Sequence, residues 1–468
     1  MKKQKAVFRC SSCGREEPKW LGRCPECGEW NTLAETQVSG RDRETRNAGT
    51  IPQSLPLSSV DPMEGSRIKS GIRELDLVLG GGIMKRSAIL VGGEPGIGKS
   101  TLLLQAAAAA DTAGRILYVL GEESSGQIKT RGDRLGIKGE RIEILSTGNI
   151  EEILAVMEAV KPVLVIIDSA QTLYSAESGS TPGTINQMKY CSWELISWVK
   201  ARDAALFLTA HVTKDGLISG PKSLEHMVDT VLYFEDSAQS GGTRFLRAAK
   251  NRFGSVDEIG IFTMGEKGLS AVEDPSVFFL VSREGDIPPG IATAAVLEGS
   301  RTLLMEIQAL TVPAKGSMSR VFSDRIDSAR VSRIAAVLEK HLGLRLSDQD
   351  LYINIAGGIR IGEVGVELAL ATALYSGRTG IPLPAKTAIA GELSLAGEVR
   401  PIRRLSNRVK TARNLGFTAF LGPRASPEAA REAKESQEGT DSLQTEGFTG
   451  VSNIKEAVKS LFSQKPQK

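Results

Sequence analysis

The ten residues GGEPGIGKST, 92–101, decide the fold of the middle of this chain. The run SAILVGG that leads into them is short and apolar, and the alanine- and leucine-rich segment that follows has the composition of a helix. A glycine-rich loop between a strand and a helix N-terminus presents backbone N–H groups to a phosphate. Lys99 would then reach the β- and γ-phosphates and Ser100 would ligate Mg²⁺. The pattern predicts a nucleoside triphosphate site formed by Gly93, Glu94, Pro95, Gly96, Ile97, Gly98, Lys99, Ser100 and Thr101.

Acidic and basic side chains follow other apolar runs that are predicted to be neighbouring strands. Asp168 lies at the end of the apolar run in VLVIIDS and is expected to hold Mg²⁺ through water beside the phosphate loop, as the acidic strand end does in enzymes with such a loop. Glu122 and Glu123 follow YVLG, and since adjacent strand residues face opposite ways, only one should point inward. We favour Glu122 as the residue that polarises the attacking water. His211 ends LFLTAHV and could sense the γ-phosphate, although an ordinary surface or core histidine fits the spacing equally well.

Composition sets wide limits on function. The 468 residues include 58 Lys+Arg against 55 Asp+Glu, so the net charge of +3 does not by itself demand a nucleic-acid partner, and any such binding must use local patches. No apolar run approaches the roughly 18 residues that a membrane span needs. The basic N-terminus has no apolar stretch behind it, so it does not resemble a secretory signal. We expect a protein of the reducing cytoplasm that does not engage a membrane.

Four of the five cysteines lie close together as two Cys-x-x-Cys pairs, each followed by glycine. Each tight turn directs two thiolates toward one ion, and four thiolates complete a tetrahedral zinc site without an open position for catalysis. A structural Zn²⁺ is therefore predicted, and Cys191, within a helical pattern, is expected to be a packed core thiol. The predicted metal ligands are Cys10, Cys13, Cys24 and Cys27.

The chain divides by composition into an N-terminal zinc module, a polar linker and two α/β regions. In the first α/β region, continuous β-branched runs alternate with helical segments, which favours a parallel sheet covered on both faces. The second region carries its own strands and helices. The predicted boundaries are 1–30 for the zinc module, 31–66 for the linker, 67–274 and 275–463 for the two α/β domains, and 464–468 for a tail.

The pentad KNRFG, 250–254, places two cations two positions apart in a run suited to a strand and turn. Lys250 and Arg252 should share one face of the strand, with Asn251 on the other. Gly254 would allow the strand tip to stand out from the fold. The pattern raises the question of what two paired cations would contact.

The motifs taken together resemble the bacterial DNA-repair protein family RadA, also called Sms. The four-cysteine motif, GGEPGIGKST, LGEES, IIDS, HVTKDGLISGPKSLEHMVDTVLYFE and KNRFG occur in the family's order, and the resemblance covers nearly the whole chain. It implies an α/β fold with a RecA-type P-loop ATPase core, an N-terminal four-cysteine zinc ribbon and ATP as the nucleotide. It also implies a hexameric ring on single-stranded or branched DNA, acting with a recombinase or replicative helicase in recombinational repair.

The same resemblance implies roles for particular residues. Glu122 matches the catalytic glutamate of the RecA type, His211 matches the phosphate-sensing position, and residues 174–187 and 213–225 match the two DNA-binding loops. In ring ATPases the nucleotide lies between subunits, and a cation from the neighbour neutralises the transferring phosphoryl group. Lys250 and Arg252 are our candidates for that contribution in trans, or for a DNA-facing lever linked to it. A solvated strand face is the alternative.

The C-terminal region, 275–463, resembles the proteolytic domain of Lon protease through AGGIRIGEVGVELALATALYSG and GELSLAGEVRPIRRLSNRVKTARNLGF. In Lon a serine nucleophile is activated by a lysine. The serine position is Gly365 here and the lysine position is Ser406, so peptidase activity is not expected. A basic segment in this domain is interpreted either as a solvated face or as a grip on duplex phosphate. Its members are Arg400, Arg403, Arg404, Arg408, Lys410 and Arg413.

The sequence leads to three hypotheses about function. The leading one is a DNA-dependent ATPase that drives branch migration or unwinding as a ring-shaped motor. The second is a regulatory ATPase that binds protein partners through the zinc module and never moves DNA. The third, an ATP-dependent protease, conflicts with the missing serine and lysine.

Overall fold

The structure is a computed structural model. The residues it describes are 7–12, 15–17, 19–25, 27–36, 56, 58, 67–177, 184–211, 223–236, 242–272, 279–281, 283, 287–314, 316, 319–323, 325–357, 360–424 and 447–462.

The N-terminal segment forms a small antiparallel sheet with strand order β2-β1-β3. Its strands are β1 (Val7–Cys10), β2 (Glu16–Glu17) and β3 (Leu33–Thr36). Cys10, Cys24 and Leu33 are buried at its centre, with Phe8 packed against them. So small a core buries little apolar surface, and a fold of this size needs a metal or another crosslink to be stable.

The next part of the chain alternates strands and helices around one large sheet. In chain order its elements are β4 (Arg67–Ile68), α1 (Arg73–Val78), β5 (Ile83–Met84), β6 (Ser87–Gly93), α2 (Lys99–Ala109), β7 (Ile116–Leu120), α3 (Ser125–Arg134), β8 (Ile142–Ser146), α4 (Ile150–Val160), β9 (Leu164–Asp168), α5 (Ile185–Lys200), β10 (Ala205–His211), α6 (Ser223–Met227), β11 (Thr230–Asp236), β12 (Thr243–Asn251), β13 (Ile259–Gly265) and β14 (Gly268–Ala271).

The sheet has the order β14-β13-β12-β11-β6-β10-β9-β7-β8, and the strands from β11 to β8 run parallel. Alternate strand residues enter two separate cores: Ile89 and Val91 of β6 lie in one, and Ala88 and Leu90 lie in the other. Strands buried on both faces lose the polar alternation of a half-exposed sheet. The predicted parallel sheet covered on both faces is therefore confirmed. The antiparallel pair β13 and β14 extends it beyond the strands predicted from sequence.

The C-terminal part builds a second, mixed sheet. In chain order its elements are β15 (Ile291–Glu298), β16 (Arg301–Pro313), β17 (Val321–Ser323), α7 (Ser328–Leu342), β18 (Gln349–Ile355), α8 (Glu367–Thr379), β19 (Thr387–Ile389), β20 (Glu392–Leu393), β21 (Val399–Arg400), α9 (Leu405–Asn414), β22 (Ala419–Pro423), β23 (Phe448–Val451) and α10 (Ile454–Phe462). The strand order in the sheet is β17-β18-β16-β15-β19-β22-β23. The helix α8 is buried along most of its length and packs on β15 and β16.

The chain separates into two compact units. The first comprises Met1–Glu235 with Arg244–Ala271, and the second comprises Asp236–Thr243 with Val272–Lys468. The division into five segments predicted from the sequence remains a prediction. Among the described helices, none combines the length and the apolar character needed to span a bilayer.

Candidate functional site

The phosphate loop joins β6, which is buried throughout, to the N-terminus of α2 at Lys99. Gly98 has φ 117° and Gly96 has φ 76°, conformations that residues with a Cβ rarely adopt. A Cβ on Gly98 would lie 2.7 Å from Met264 Cε, and one on Gly93 would lie 2.8 Å from the Phe234 carbonyl oxygen. The glycines therefore serve both the curvature of the loop and its close packing on the sheet.

Lys99 is 5% exposed and lies inside the curve of this loop. Its Nζ donates to the carbonyl oxygens of Gly93 at 2.8 Å and Glu94 at 3.0 Å, and lies 3.4 Å from His211 Nδ1. Burial lowers the pKa of Lys99, and the nearby carboxylates of Asp168 and Glu122 partly offset that effect. The loop thus holds a cation where phosphate oxygens would bind.

Asp168 ends β9 next to the phosphate loop, and two buried hydroxyls fix its carboxylate. Tyr118 Oη donates to Oδ2 at 2.9 Å, and Thr209 Oγ1 donates to Oδ1 at 2.7 Å. Burial, reinforced by the Asp168 charge, raises the pKa of Tyr118 well above its ordinary value, so this hydroxyl stays a donor. Neither Tyr118 nor Thr209 is predicted from the sequence as a site residue. Each is nevertheless recognisable as a polar side chain within a mostly apolar strand.

The two glutamates after β7 have different partners. Glu122 Oε1 accepts from Ser169 Oγ at 2.7 Å and lies 3.5 Å from His211 Nε2. Both Glu123 oxygens accept from Arg131, at 2.7 and 2.6 Å. Burial alone would lower the pKa of Arg131, but the hydrogen bonds and charge of Glu123 outweigh it and raise that pKa. Glu122 therefore has its carboxylate beside the phosphate loop, whereas the carboxylate of Glu123 is already neutralised.

One cavity of about 510 Å³ brings most of these groups together. This volume is within the ordinary range for small-molecule sites. Carboxylates, a lysine and exposed backbone at a helix N-terminus are the groups that bind a nucleotide phosphate with Mg²⁺. The lining residues are Pro95, Gly96, Gly98, Lys99, Ser100, Thr101, Glu122, Glu123, Arg131, Arg134, Asp168, His211 and Met264.

Lys250 and Arg252 lie near the N-terminal ends of the parallel strands, whereas the phosphate loop follows the C-terminal end of β6. Lys250 Nζ donates to the carbonyl oxygens of Glu225 at 2.8 Å and Val228 at 2.7 Å, at the end of α6. Arg252 Nη1 donates to Asp229 Oδ1 at 3.2 Å. Burial and the Arg252 charge lower the pKa of Lys250. Both cations therefore contact the segment that leads from α6 into β11.

This position is far from the phosphate loop of the same chain. The Asp229 N–H donates to the Ala88 carbonyl, at the start of β6, whereas the phosphate loop follows the end of β6 at Gly93. The advance of five residues along β6 from Ala88 to Gly93 spans about 16 Å. A lysine or arginine side chain is too short to cover that distance, so neither cation reaches its own nucleotide site.

The turn of the pentad is docked rather than protruding, which corrects one expectation. β12 ends at Asn251, one residue before Arg252. Arg67 Nη2 donates to the Phe253 carbonyl at 2.7 Å, and a Cβ on Gly254 would lie 2.9 Å from Gly80 Cα. Gly254 thus permits close backbone packing on the Gly80 turn.

Three of the four predicted zinc ligands converge in the N-terminal sheet. The Sγ atoms of Cys10, Cys24 and Cys27 lie within 4.8 Å of one another, and Cys13 lies outside the described residues. Gly28 has φ 75° in the turn that follows Cys27. A compact set of thiolates suits a structural Zn²⁺. By contrast, Cys191 is buried in α5, and burial raises the pKa of its thiol to about 12, as expected of a packed core cysteine.

Replacing Cys24 by serine is expected to abolish stoichiometric zinc binding, because the ion would lose a thiolate of its closed coordination shell. Elemental analysis of the purified full chain measures the metal content directly. Cys191→Ala is the matched control and should keep its zinc. Full zinc retention by Cys24→Ser, or equal loss in both variants, would contradict the assignment.

The Lon-like site is filled by an ion pair. Arg408 is fully buried and donates through Nη2 to Glu363 Oε1 at 2.6 Å and through Nη1 to Glu363 Oε2 at 3.0 Å. A Cβ on Gly365, at the serine position, would lie 2.5 Å from Glu363 Oε1 and 2.9 Å from Arg408 Nη1. Ser406, at the lysine position, is also buried. The ion pair thus occupies the space into which a nucleophile at 365 would project.

This ion pair corrects the interpretation of the basic segment. Arg408 belongs to the domain core and cannot contact DNA. Arg400, Arg403, Arg404 and Lys410 are exposed, so the surface that remains for phosphate contact is smaller than predicted. The predicted DNA-binding loops are only partly described: 178–183 and 212–222 lie outside the described residues.

The parallel sheet, phosphate loop and acidic strand ends define a RecA-type P-loop ATPase that also carries a zinc ribbon and a Lon-protease-like domain. Family models match three regions: a "Rubredoxin metal binding domain" at 8–35, an "AAA domain" at 54–217 and "Subunit ChlI of Mg-chelatase" at 323–426. The chain belongs to the DNA repair protein RadA family.

Relatives of that name match along most of their length. The Treponema pallidum protein is 58% identical over 425 residues, 90% of this chain and 92% of the relative. The Bacillus subtilis protein is 41% identical over 465 residues, 98% and 99% of the two chains. The Rickettsia bellii protein is 45% identical over 424 residues, 90% and 94%. A KaiC-like protein of Pyrococcus horikoshii is a more distant likeness, with TM-score 0.38 and 19% identity, covering 44% of this chain and 98% of its own.

Proposed function

We propose that this chain is a DNA-dependent ATPase of recombinational repair, which drives branch migration or unwinding as a hexameric, ring-shaped motor in the cytoplasm. The observation that carries the proposal is the cavity in which Lys99, Asp168 and Glu122 converge, while Lys250 and Arg252 lie at the opposite ends of the strands. This separation of the phosphate-binding groups from the two cations suits a nucleotide bound at the junction between neighbouring protomers.

Within one protomer, each residue has a defined task. The loop 93–101 and Lys99 bind the phosphates, while Ser100 and Asp168 hold Mg²⁺, which supplies charge neutralisation when bound. Glu122 accepts a hydrogen bond from Ser169 and orients water for attack on the γ-phosphorus. His211 lies between Lys99 and Glu122, so it is placed to respond to the γ-phosphate.

Lys250 and Arg252 serve the neighbouring protomer's nucleotide. The distance of about 16 Å along β6 argues against a role in cis and so supports the contribution in trans. Lys250 also contacts the end of α6, the helix whose first three residues are the last three of the predicted DNA-binding stretch 213–225. A cation shared between those carbonyls and a neighbour's phosphate would couple hydrolysis to the DNA loop.

DNA contacts are assigned to residues 174–187 and 213–225 and to the exposed part of the basic segment. Single-stranded or branched DNA is the substrate, and a recombinase or a replicative helicase is the partner protein. The direct test is strand displacement or branch migration on a three-stranded DNA substrate with ATP. Lys99→Ala is the control and should be inactive. Absence of movement by the wild-type protein would overturn the motor role.

Mixing two inactive variants tests the contribution in trans. Arg252→Ala should bind ATP and lose DNA-stimulated hydrolysis, and Glu122→Gln should be inactive for a different reason. In mixed rings, an interface that joins the intact Glu122 of one protomer to the intact Arg252 of its neighbour is functional. In a ring assembled at random from equal amounts of the two variants, about a quarter of the interfaces are functional. Each heterologous interface takes one face from each protomer, and each face is intact with a chance of about one half.

The expected result is therefore recovery of ATP hydrolysis after the two proteins are mixed and reassembled. A mixture of Glu122→Gln with Lys99→Ala is the matched control, because both variants damage the same face, and it should stay inactive. Failure of the first mixture to exceed the control would contradict a role in trans for Arg252.

A further inference from the structure

The turn that carries Glu122 is fastened at both ends. On one side, the Gly121 N–H donates to the Asp168 carbonyl at 2.9 Å, and a Cβ on Gly121 would lie 1.7 Å from Thr172 Oγ1. On the other side, Ser124 begins α3 with a capping box, in which the Ser124 N–H donates to Gln127 Oε1 at 2.8 Å. Only Glu122 and Glu123 lie between these two fixed points.

Arg131 ties the middle of that turn to the body of α3. Both Nη atoms donate to Glu123, and the two side chains are 22% and 32% exposed, so solvent screens this pair less than a fully exposed one. A two-point arginine–carboxylate contact fixes orientation as well as distance. Since Glu122 and Glu123 are consecutive, fixing the direction of one side chain constrains the direction of the other.

We propose that Arg131 is a positioning residue for ATP hydrolysis: through Glu123 it holds the turn that directs the Glu122 carboxylate toward Ser169 and the nucleotide cavity. This inference rests on the proposed role of Glu122. Glu123 is then the anchor of the turn rather than a second base. The arrangement matters because a displacement of about 1 Å in a reacting group can cost about 10²-fold in rate.

The test uses the full chain and steady-state ATP hydrolysis together with binding of a fluorescent ADP analogue. Arg131→Ala is expected to lower kcat by about 10- to 100-fold, with KM and analogue affinity changed less than about threefold. Backbone hydrogen exchange at residues 121–124 should become faster. Lys129→Ala is the matched control, because it removes an exposed ion pair with Asp133 on the same helix, and it should behave as wild type.

The charge-swapped double variant Glu123→Arg/Arg131→Glu separates positioning from direct nucleotide contact. It rebuilds the ion pair with reversed polarity and should regain at least about a tenth of wild-type kcat, well above either single reversal. Parallel loss of kcat and analogue affinity in Arg131→Ala, with no recovery in the swap, would mean that Arg131 binds nucleotide directly and would overturn the proposal. So would an unchanged kcat.

Comparing the Glu122 and Arg131 variants distinguishes a wrong role for Glu122 from a wrong role for Arg131. If Glu122→Gln keeps full activity, the assigned role of Glu122 is wrong and the inference falls with it. If Glu122→Gln is inactive while Arg131→Ala is fully active, only the positioning role is lost. Should Arg131→Ala not fold, Arg131→Lys and the charge swap supply the same comparison, since lysine keeps the charge but loses the two-point contact.

Discussion

Replacing Glu122 by glutamine is expected to lower kcat for ATP hydrolysis by about 10²- to 10⁴-fold, the range for loss of a general base. The amide keeps the shape of the side chain and can still accept from Ser169, so the turn should be undisturbed. It cannot orient water as a carboxylate does. Nucleotide affinity should be unchanged or slightly higher, because a negative charge beside the phosphates is removed. Single-turnover hydrolysis and binding of a fluorescent ADP analogue measure the two quantities separately.

Glu123→Gln is the matched comparison, since it makes the same change one residue away. Its amide oxygen still accepts from Arg131, so the loss of kcat should stay below about tenfold. A larger loss for Glu123→Gln than for Glu122→Gln would reverse the assignment of the two glutamates. Equal losses would show that neither is specifically the base.

Replacing Arg408 by alanine is expected to lower the free energy of unfolding of the C-terminal domain by about 3–5 kcal/mol. The substitution leaves the Glu363 carboxylate, only 16% exposed, without its two-point partner and opens space in the core. The Ala295 carbonyl oxygen, which accepts from Arg408 Nη1 at 2.8 Å, also loses its donor. Calorimetry of the full chain should show an unfolding transition moved to lower temperature.

Two further variants separate burial from charge at this position. Lys410→Ala removes an exposed cation two residues along α9 and should change the transition little. The double variant Glu363→Gln/Arg408→Met removes both charges and should recover most of the stability, because no unpaired buried charge remains. A wild-type transition in Arg408→Ala would contradict the structural role of the ion pair.

Short sequence motifs predict those parts of the fold whose residues are contiguous in the chain. The phosphate loop was recognisable because its glycines, lysine and flanking strand and helix are contiguous, and Asp168 because it directly ends an apolar run. The predicted zinc ligands follow from the spacing of two short Cys-x-x-Cys motifs, and three of the four cysteines converge in the structure. In each case the physical requirement, a curved backbone or a pair of converging thiolates, is met within a few residues.

The missed residues make contacts between distant parts of the chain. Tyr118 and Thr209 reach Asp168 from neighbouring strands, and Ser169 reaches Glu122 across 47 residues of sequence. The burial of Arg408 does not follow from the sequence, because a run of cations does not reveal which one is buried and its partner Glu363 lies 45 residues earlier. The sequence predicts that Lys250 and Arg252 share a face, and both contact the segment 225–229. The carbonyl partners of Lys250 depend on the position of α6, which a local pattern does not reveal.

The proposed motor role depends most on the coupling of ATP hydrolysis to DNA. Its most direct test is the steady-state rate of ATP hydrolysis by the full chain, measured with and without a single-stranded oligonucleotide. We expect a clear increase in rate with DNA and no activity in Lys99→Ala under either condition. A rate that is the same with and without DNA, or hydrolysis that survives Lys99→Ala, would contradict it.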